Sequence, residues 1–200
     1  VDLHILVTSA DIVDHPLTEM RKREYLKTID WLKINAQKYK VSWLECLLPK
    51  DSFLETHIPV YYSQIHNPNY RNKGSNWGQA VEKFLKKCEY QSEYTMHLTG
   101  RYHFNDTYFF ETIEKNPGFD LYVKKTSDSQ YMTGCFCMRT ENFCNWISNT
   151  DWDMLNYKMI NVEKYIWDYT KENNLKVYEI DSLNMEWNVF GQGVPQMLLV

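Results

Sequence analysis

The chain has 200 residues, 44% apolar and 24% charged, with a formal net charge of −4. That length suits one domain with a real core, and the charge excludes bulk electrostatic binding to nucleic acid, which needs a basic face. No apolar run reaches the ~18–20 residues of a membrane-spanning helix, and the first residues lack the basic-then-apolar form of a signal peptide, so a cytoplasmic location is expected.

Five cysteines without framework spacing are expected as reduced thiols. The aromatic share of 16% fits a well-packed core with room for a sugar- or base-stacking site. The chain starts without Met and closes on the apolar run Met197-Leu-Leu-Val200. Residues 1–200 are therefore expected to be a single domain excised from a longer polypeptide.

In chain order, Leu3 to Val7 forms a short apolar run, a buried first strand leaving through Thr8-Ser9-Ala10-Asp11. Small and acidic residues in such an exit loop suit a base or ribose; the other reading is a plain loop in which Asp11 or Asp14 caps nearby structure. Thr18 to Tyr39 is a helix with the apolar stripe Tyr25, Ile29, Leu32 and Ala36, its lysines on the solvated side. Strands follow at Val41–Leu48 and Ile58–Ile65. Asn67 to Gly78 is a turn-rich loop leading into a helix with Trp77, Val81, Phe84, Leu85 and Cys88 at helical spacing, and Ser75 or Asn76 is the expected cap. A Gly-containing loop opening on a helix can hold an anion through backbone amides, with Arg71 and Lys73 adding charge.

Tyr94, Met96 and Leu98 then alternate with Thr95, His97 and Thr99, the period of a strand. Gly100 breaks it, followed by Arg101 and Tyr102, a fixed cation and an aromatic ring. In open α/β sheets ligands bind beyond the carboxyl ends of the strands, where this break would lie; an ordinary turn with a surface arginine is the alternative.

Asp106 to Lys115 is helical, Asp120–Lys125 and Gln130–Arg139 are strands, and Glu141 to Ser148 is a short helix. Asp151 to Asn173 is a longer helix with Leu155, Met159, Val162, Ile166 and Tyr169 as its stripe. Leu175 to Ile180 is a last strand before a flexible aromatic tail at Trp187 to Gly193. Alternating strands and helices predict a three-layer α/β domain with a mostly parallel sheet.

Walker, GxGxxG, GxSxG and HExxH signatures are absent. Cys135 and Cys137 share one strand face and are read as core. Asp151-Trp-Asp153 has the form of a cation-binding acidic motif, but stands where acidic residues cap a helix. Glu163 lies beside the apolar stripe, where a general base at a cleft edge belongs; a surface glutamate near Lys164 or Trp167 is the other reading.

Taken in order, Thr8-Ser-Ala-Asp11, Asn72-Lys-Gly-Ser-Asn-Trp-Gly-Gln-Ala80 and Tyr94-Thr-Met-His-Leu-Thr-Gly-Arg-Tyr102 resemble the GT-A class of nucleotide-sugar glycosyltransferases. The likeness is to a chlorella-virus branch that builds glycans on a capsid protein and has Thr-Gly-Arg-Tyr where most members have Asp-x-Asp. The resemblance implies a GT-A-like, Rossmann-like domain taking a sugar from a UDP-sugar to a glycan acceptor on a viral capsid glycoprotein, within a longer polypeptide. It further implies that Thr8, Ser9, Ala10 and Asp11 line the nucleoside pocket and that Arg71, Asn72 and Gly74 border the base or ribose. Thr99, Gly100 and Arg101 would occupy the place of the metal-binding motif, with Glu163 near the position of the base. Tyr102, Trp77 or Trp187 would pack against a sugar face, and a viral protein of this kind would act in the host cytoplasm. The usual acidic ligands are missing there, so Mn2+ or Mg2+ would be held with the donor diphosphate. A sugar-phosphate nucleotidyltransferase and a non-catalytic sugar-nucleotide or glycan-binding module are the alternatives.

Overall fold

The computed structural model describes residues 1–11, 13, 15–64, 71–87, 92–189 and 196–199, with backbone alone for 187–189 and 196–199. In chain order the elements are β1 (Leu3–Ser9), α1 (Thr18–Asn35), β2 (Lys40–Glu45), a 3-10 turn (Phe53–Thr56), β3 (Val60–Tyr62), α2 (Lys73–Lys87), β4 (Tyr94–Thr99) and β5 (His103–Phe104). Then follow α3 (Tyr108–Lys115), β6 (Leu121–Ser127), β7 (Gln130–Arg139), α4 (Thr140–Asn149), α5 (Trp152–Tyr157), α6 (Val162–Glu172), β8 (Val177–Ile180), β9 (Met185–Val189) and β10 (Gln196–Leu199).

Seven strands form one sheet in the order β3-β2-β1-β4-β7-β6-β8, and β7 alone among them runs against its neighbours. β1 is central: Val7 pairs with Trp43 on one side and Leu98 on the other. All seven of its residues are buried, as a strand covered on both faces requires. Alternation sends Leu3, Ile5 and Val7 to a core with Tyr25, Ile29 and Leu32 of α1 and Phe109, Phe110 and Ile113 of α3. Leu6 joins the opposite core, with Val81 and Phe84 of α2, Phe143 and Trp146 of α4, Leu155 of α5 and Ile166 of α6. The result is the expected three-layer α/β arrangement with a mostly parallel mixed sheet. The full stripe of α1 is buried, Ala36 included, and Cys135 and Cys137 are core residues of one face.

Three segments depart from the sequence pattern. The helix expected over Asp151–Asn173 is two helices, because Asn161 accepts from the Glu163 amide at 2.9 Å and starts α6 afresh. Met159 sits at φ 53°, more than half exposed, so it leaves the expected stripe. Trp187 to Val189, read as tail, belong to β9, which pairs with β5 and β10 in a small antiparallel sheet; residues 190–195 lie outside the described ones. The third is an irregularity in β7: Val123 pairs with Phe136 and Lys125 with Tyr131, and since Cys135 still pairs with Leu98 of β4, the bulge falls at Met132 to Gly134. Bulges re-aim side chains at the ends of sheets, and this one lies beyond Leu98–Cys135, the last pair of β4 and β7.

Candidate functional site

The parallel strands β1, β2 and β4 deliver their carboxyl ends to one edge of the sheet, beside the β7 bulge. Gly100 donates its amide to the Thr8 carbonyl at 2.8 Å, and Tyr102 closes a turn on the Thr99 carbonyl at 2.8 Å. The space a side chain would take at Gly100 is filled: a Cβ there would lie 2.7 Å from Trp43 and 3.1 Å from Tyr25. Close packing of Trp43 and Tyr25 is by itself enough to require a glycine here.

The β1 exit is organised by Glu45, a residue the sequence reading passed over. Its fully buried carboxylate accepts from the Ser9 hydroxyl at 2.5 Å, from the Asp11 amide at 3.0 and 3.1 Å, and from the amides of Leu47 and Leu48 at 2.8 and 3.1 Å. Burial raises this carboxyl above its usual range, and those donors offset only part of the rise. Ser9 also accepts from the Trp43 indole, and Asp11 accepts from the Ser52 hydroxyl at 2.9 Å. The side chains of Ser9 and Asp11 are thus engaged inside the protein, and Ala10 is the partly exposed residue of the loop. Its peptide is clamped by the Tyr25 hydroxyl, which accepts from the Ala10 amide at 3.0 Å and donates to its carbonyl at 3.1 Å. Arg21 donates Nη1 to the same carbonyl at 3.0 Å. Burial drives the Tyr25 hydroxyl up to about 12, and the Arg21 and Arg101 charges oppose this. Arg101 itself is lowered, first by burial.

On the other face His97 is the hub. Its Nε2 lies 2.9 Å from the Trp77 indole nitrogen and 2.9 Å from the Thr8 hydroxyl, and its Nδ1 lies 2.9 Å from the Thr133 carbonyl. An indole N–H only donates and a carbonyl only accepts, so Nδ1 carries the hydrogen and Nε2 accepts. Burial lowers this imidazole to about 4, which keeps it neutral in that tautomer. Thr8 is therefore tied to His97.

Thr133, held through its carbonyl, turns its hydroxyl to Oε1 of Glu163 at 3.1 Å. Glu163 is partly exposed in the first turn of α6. The Tyr102 ring packs over Gly134, where a Cβ would fall 2.0 Å from it. Burial raises the Tyr102 hydroxyl to about 12, with Glu163 contributing in the same direction. The structure thus gathers Thr99, Tyr102, Thr133 and Glu163 around the β7 bulge, with Arg101 and Ala10 toward α1.

Asn72 and Gly74 serve a structural joint. Asn72 Oδ1 accepts from the Gly74 amide at 3.0 Å, so Asn72, in place of the expected Ser75 or Asn76, caps α2. Its Nδ2 donates to the Ile160 carbonyl at 2.7 Å, and its amide donates to Asn156 at 3.0 Å. A Cβ on Gly74 would meet Val162 at 2.3 Å. The start of α2 is thereby locked to the segment that carries Glu163. Arg71 is exposed beside it; the rest of the expected loop before it, like Asp14 and Cys88, lies outside the described residues. Asp151 caps α5 by accepting from the Met154 amide at 2.8 Å, the capping reading of its acidic motif.

The donor set does not suit a protein-held divalent ion. Thr99, Gly100 and Arg101 offer no carboxylate, and among the described residues no three His, Cys, Asp or Glu side chains converge. Among them, too, no helix is long and apolar enough to cross a membrane.

No family model matches the chain, and no curated protein matches its sequence. Solved structures do match. A Desulfovibrio desulfuricans G20 protein described as a nucleotide-diphospho-sugar transferase superposes with a TM-score of 0.54 at 12% identity, over 90% of this chain and 79% of its own. A glycosyltransferase involved in glycosylation of the major capsid of PBCV-1 gives 0.54 at 12%, over 91% and 83%. The 4-diphosphocytidyl-2C-methyl-D-erythritol synthase of Anaerococcus prevotii DSM 20548 gives 0.57 at 12%, over 90% and 86%. The chain therefore has the GT-A-like α/β fold common to nucleotide-diphospho-sugar transferases, and at this identity the likeness is one of fold.

Proposed function

We propose that the chain is a nucleotide-sugar-dependent glycosyltransferase domain, moving a hexose from a UDP-sugar to a glycan acceptor. The observation that carries this reading is the Glu163 carboxylate, partly exposed and held by Thr133 beside Tyr102 at the strand ends. The donor would lie along the exits of β1 and β4. Residues 8–11 would meet its nucleoside mainly through backbone, since Thr8, Ser9 and Asp11 hold inner partners. Arg71, Asn72 and Gly74 would border it from α2, and Thr99, Gly100 and Arg101 would flank the diphosphate.

In the reaction the acceptor hydroxyl oxygen bonds to the anomeric carbon as the bond from that carbon to the diphosphate oxygen breaks. The acceptor proton passes to Glu163, and attack opposite the leaving group inverts the centre. Arg101 stabilises the charge growing on the diphosphate, and Tyr102 packs against the sugar. Mn2+ or Mg2+ would arrive with the diphosphate as its ligand. The likeness to the PBCV-1 enzyme suggests a capsid glycoprotein as acceptor; further domains of the same polypeptide and a cytoplasmic site of action are part of the same proposal.

The test is a panel of UDP-, GDP- and CMP-sugars with glycan acceptors, scored for nucleotide release and product. Selective UDP release with loss in Glu163→Gln supports the proposal. The Anaerococcus synthase likeness favours a second reading, nucleotidyl transfer. Pyrophosphate release from a nucleoside triphosphate and a sugar phosphate would establish that instead, and nucleotide binding without turnover would mark a binding module.

A further inference from the structure

Glu163, Trp167 and Lys171 follow at gaps of four along α6, so they make one row on that helix. β7 accompanies the row. Thr133 in the bulge donates to Glu163, and the Tyr131 ring, two residues earlier, packs on Trp167 with centroids 4.7 Å apart. Lys125, near the end of β6, is the cross-strand partner of Tyr131. Since β4 and β6 both run antiparallel to β7, they are parallel to each other, and Lys125 stands toward the sheet edge that carries the β4 turn.

Trp167 is half-buried and gathers two cations. Lys171 Nζ lies 4.5 Å from its ring centroid and Lys125 Nζ 5.2 Å from it. Both lysines are exposed, and among the described residues neither forms an ion pair. The carboxylates nearest in sequence and across the strands are engaged elsewhere: Asp168 pairs with Lys164 at 2.8 Å, and Glu179 accepts from the Tyr131 hydroxyl at 3.0 Å. A ring face attracts an ammonium group without neutralising it, and two like charges held on one ring repel. An anionic group seated there relieves that repulsion, in a chain whose net charge is −4. Four residues of helix span ~6 Å, so this spot is about one sugar unit away from the Glu163 carboxylate.

We propose that Trp167, Lys125 and Lys171 form an acceptor subsite for a negatively charged sugar, bearing a carboxylate or a phosphate, one unit from the hydroxyl that Glu163 deprotonates. The link to Glu163 rests on the glycosyltransferase reading, whereas the anionic-sugar site is testable by binding alone.

The experiment follows the Trp167 indole resonance in 1H–15N spectra, identified by its loss in Trp167→Phe, with no donor present. The chain is titrated at low salt with cellobiose and cellobiouronic acid, and with glucose and glucose 6-phosphate. At least one charged sugar should shift this resonance and bind about fivefold or more tighter than its neutral counterpart. Lys125→Gln and Lys171→Gln should each remove part of that preference, and the double variant all of it. A preference for the uronate identifies a carboxylate ligand, and one for the phosphate a phosphate ligand. No shift with either charged sugar, equal affinity for charged and neutral sugars, or a preference that survives in the double variant overturns the proposal. UDP release from a UDP-sugar is then scored with the same four sugars. Lysine-dependent binding without release would uphold the subsite and count against the glycosyltransferase reading. Release with neutral acceptors alone would uphold that reading and overturn the subsite.

Discussion

The Thr133 hydroxyl donates to Glu163 Oε1 across 3.1 Å, so the β7 bulge and the first turn of α6 hold one carboxylate between them. Thr133 is itself placed by His97, which donates Nδ1–H to its carbonyl while accepting from the Trp77 indole. A regular strand would carry residue 133 in register with β6. The bulge frees its hydroxyl to face the helix start instead.

Glu163→Gln should lower kcat by roughly 10²–10⁴, the range for losing a general base, with the donor KM little changed. Thr133→Val should lower kcat about tenfold, one hydrogen bond's worth, and Thr133→Ser should restore it. Steady-state kinetics with the donor and acceptor found by the sugar panel decide this. A Thr133→Val enzyme with wild-type kcat would remove Thr133 from any positioning role.

Stability should fall as pH drops from about 6.5 toward 4. His97 and His4 are both lowered to about 4, burial being the first cause in each. The unfolded chain, with its histidines near 6.5, then binds more protons in that window, so stability is fully present above 6.5 and is lost on descent through it. His97 alone contributes about 3 kcal/mol to this loss. Glu45, raised by burial, works in the opposite direction just above 4.5, and the lowered Glu111 and Glu114 act below it. Urea unfolding of wild type and His97→Gln across the window is the check. The slope should shrink in the variant, and equal slopes would refute the role given to His97.

Gly134→Ala should destabilise the fold by about 2 kcal/mol, because the new Cβ would fall 2.0 Å from the Tyr102 ring. Tyr102→Ala removes the obstacle, so the double variant should be more stable than the two single effects summed. Chemical denaturation of the four proteins measures the coupling. Additive effects would mean that the ring does not pack on Gly134.

Asn72→Ala removes the α2 cap together with the bonds to the α5–α6 segment and should reduce stability by about 2 kcal/mol. Asn72→Asp keeps the cap oxygen but loses the donor to Ile160, and should recover only part of it. Thermal and urea unfolding of the pair distinguish the cap from the joint; full recovery in Asn72→Asp would leave the joint without energetic weight.

Much of this architecture is legible in the sequence. The spacing of Tyr25, Ile29, Leu32 and Ala36 locates α1 and its buried face, and alternation about Met96 locates β4. These signals are local, since helix and strand periods lie within a few residues of chain. Asp151 as a cap and Cys135 with Cys137 as core were likewise readable, because each depends on near neighbours or on one face of one strand.

What only the tertiary structure decides is which distant groups share an environment. Glu45 gives no local signal, yet the parallel register sets it level with Ser9 and makes it the acceptor for a whole loop. His97 looks like any polar residue of an alternating strand until Trp77, Thr8 and Thr133 arrive from three other elements. Gly100 suggests freedom of backbone in the sequence, and packing shows that it, like Gly134, makes room for an aromatic ring from elsewhere. Asn161 starts a new helix inside a stripe that is continuous in the sequence, because its side chain caps α6 after α5 has stopped at Tyr157. Local periodicity specifies the elements, but the partners of a buried polar group depend on strand order and register, which emerge only when the layers pack.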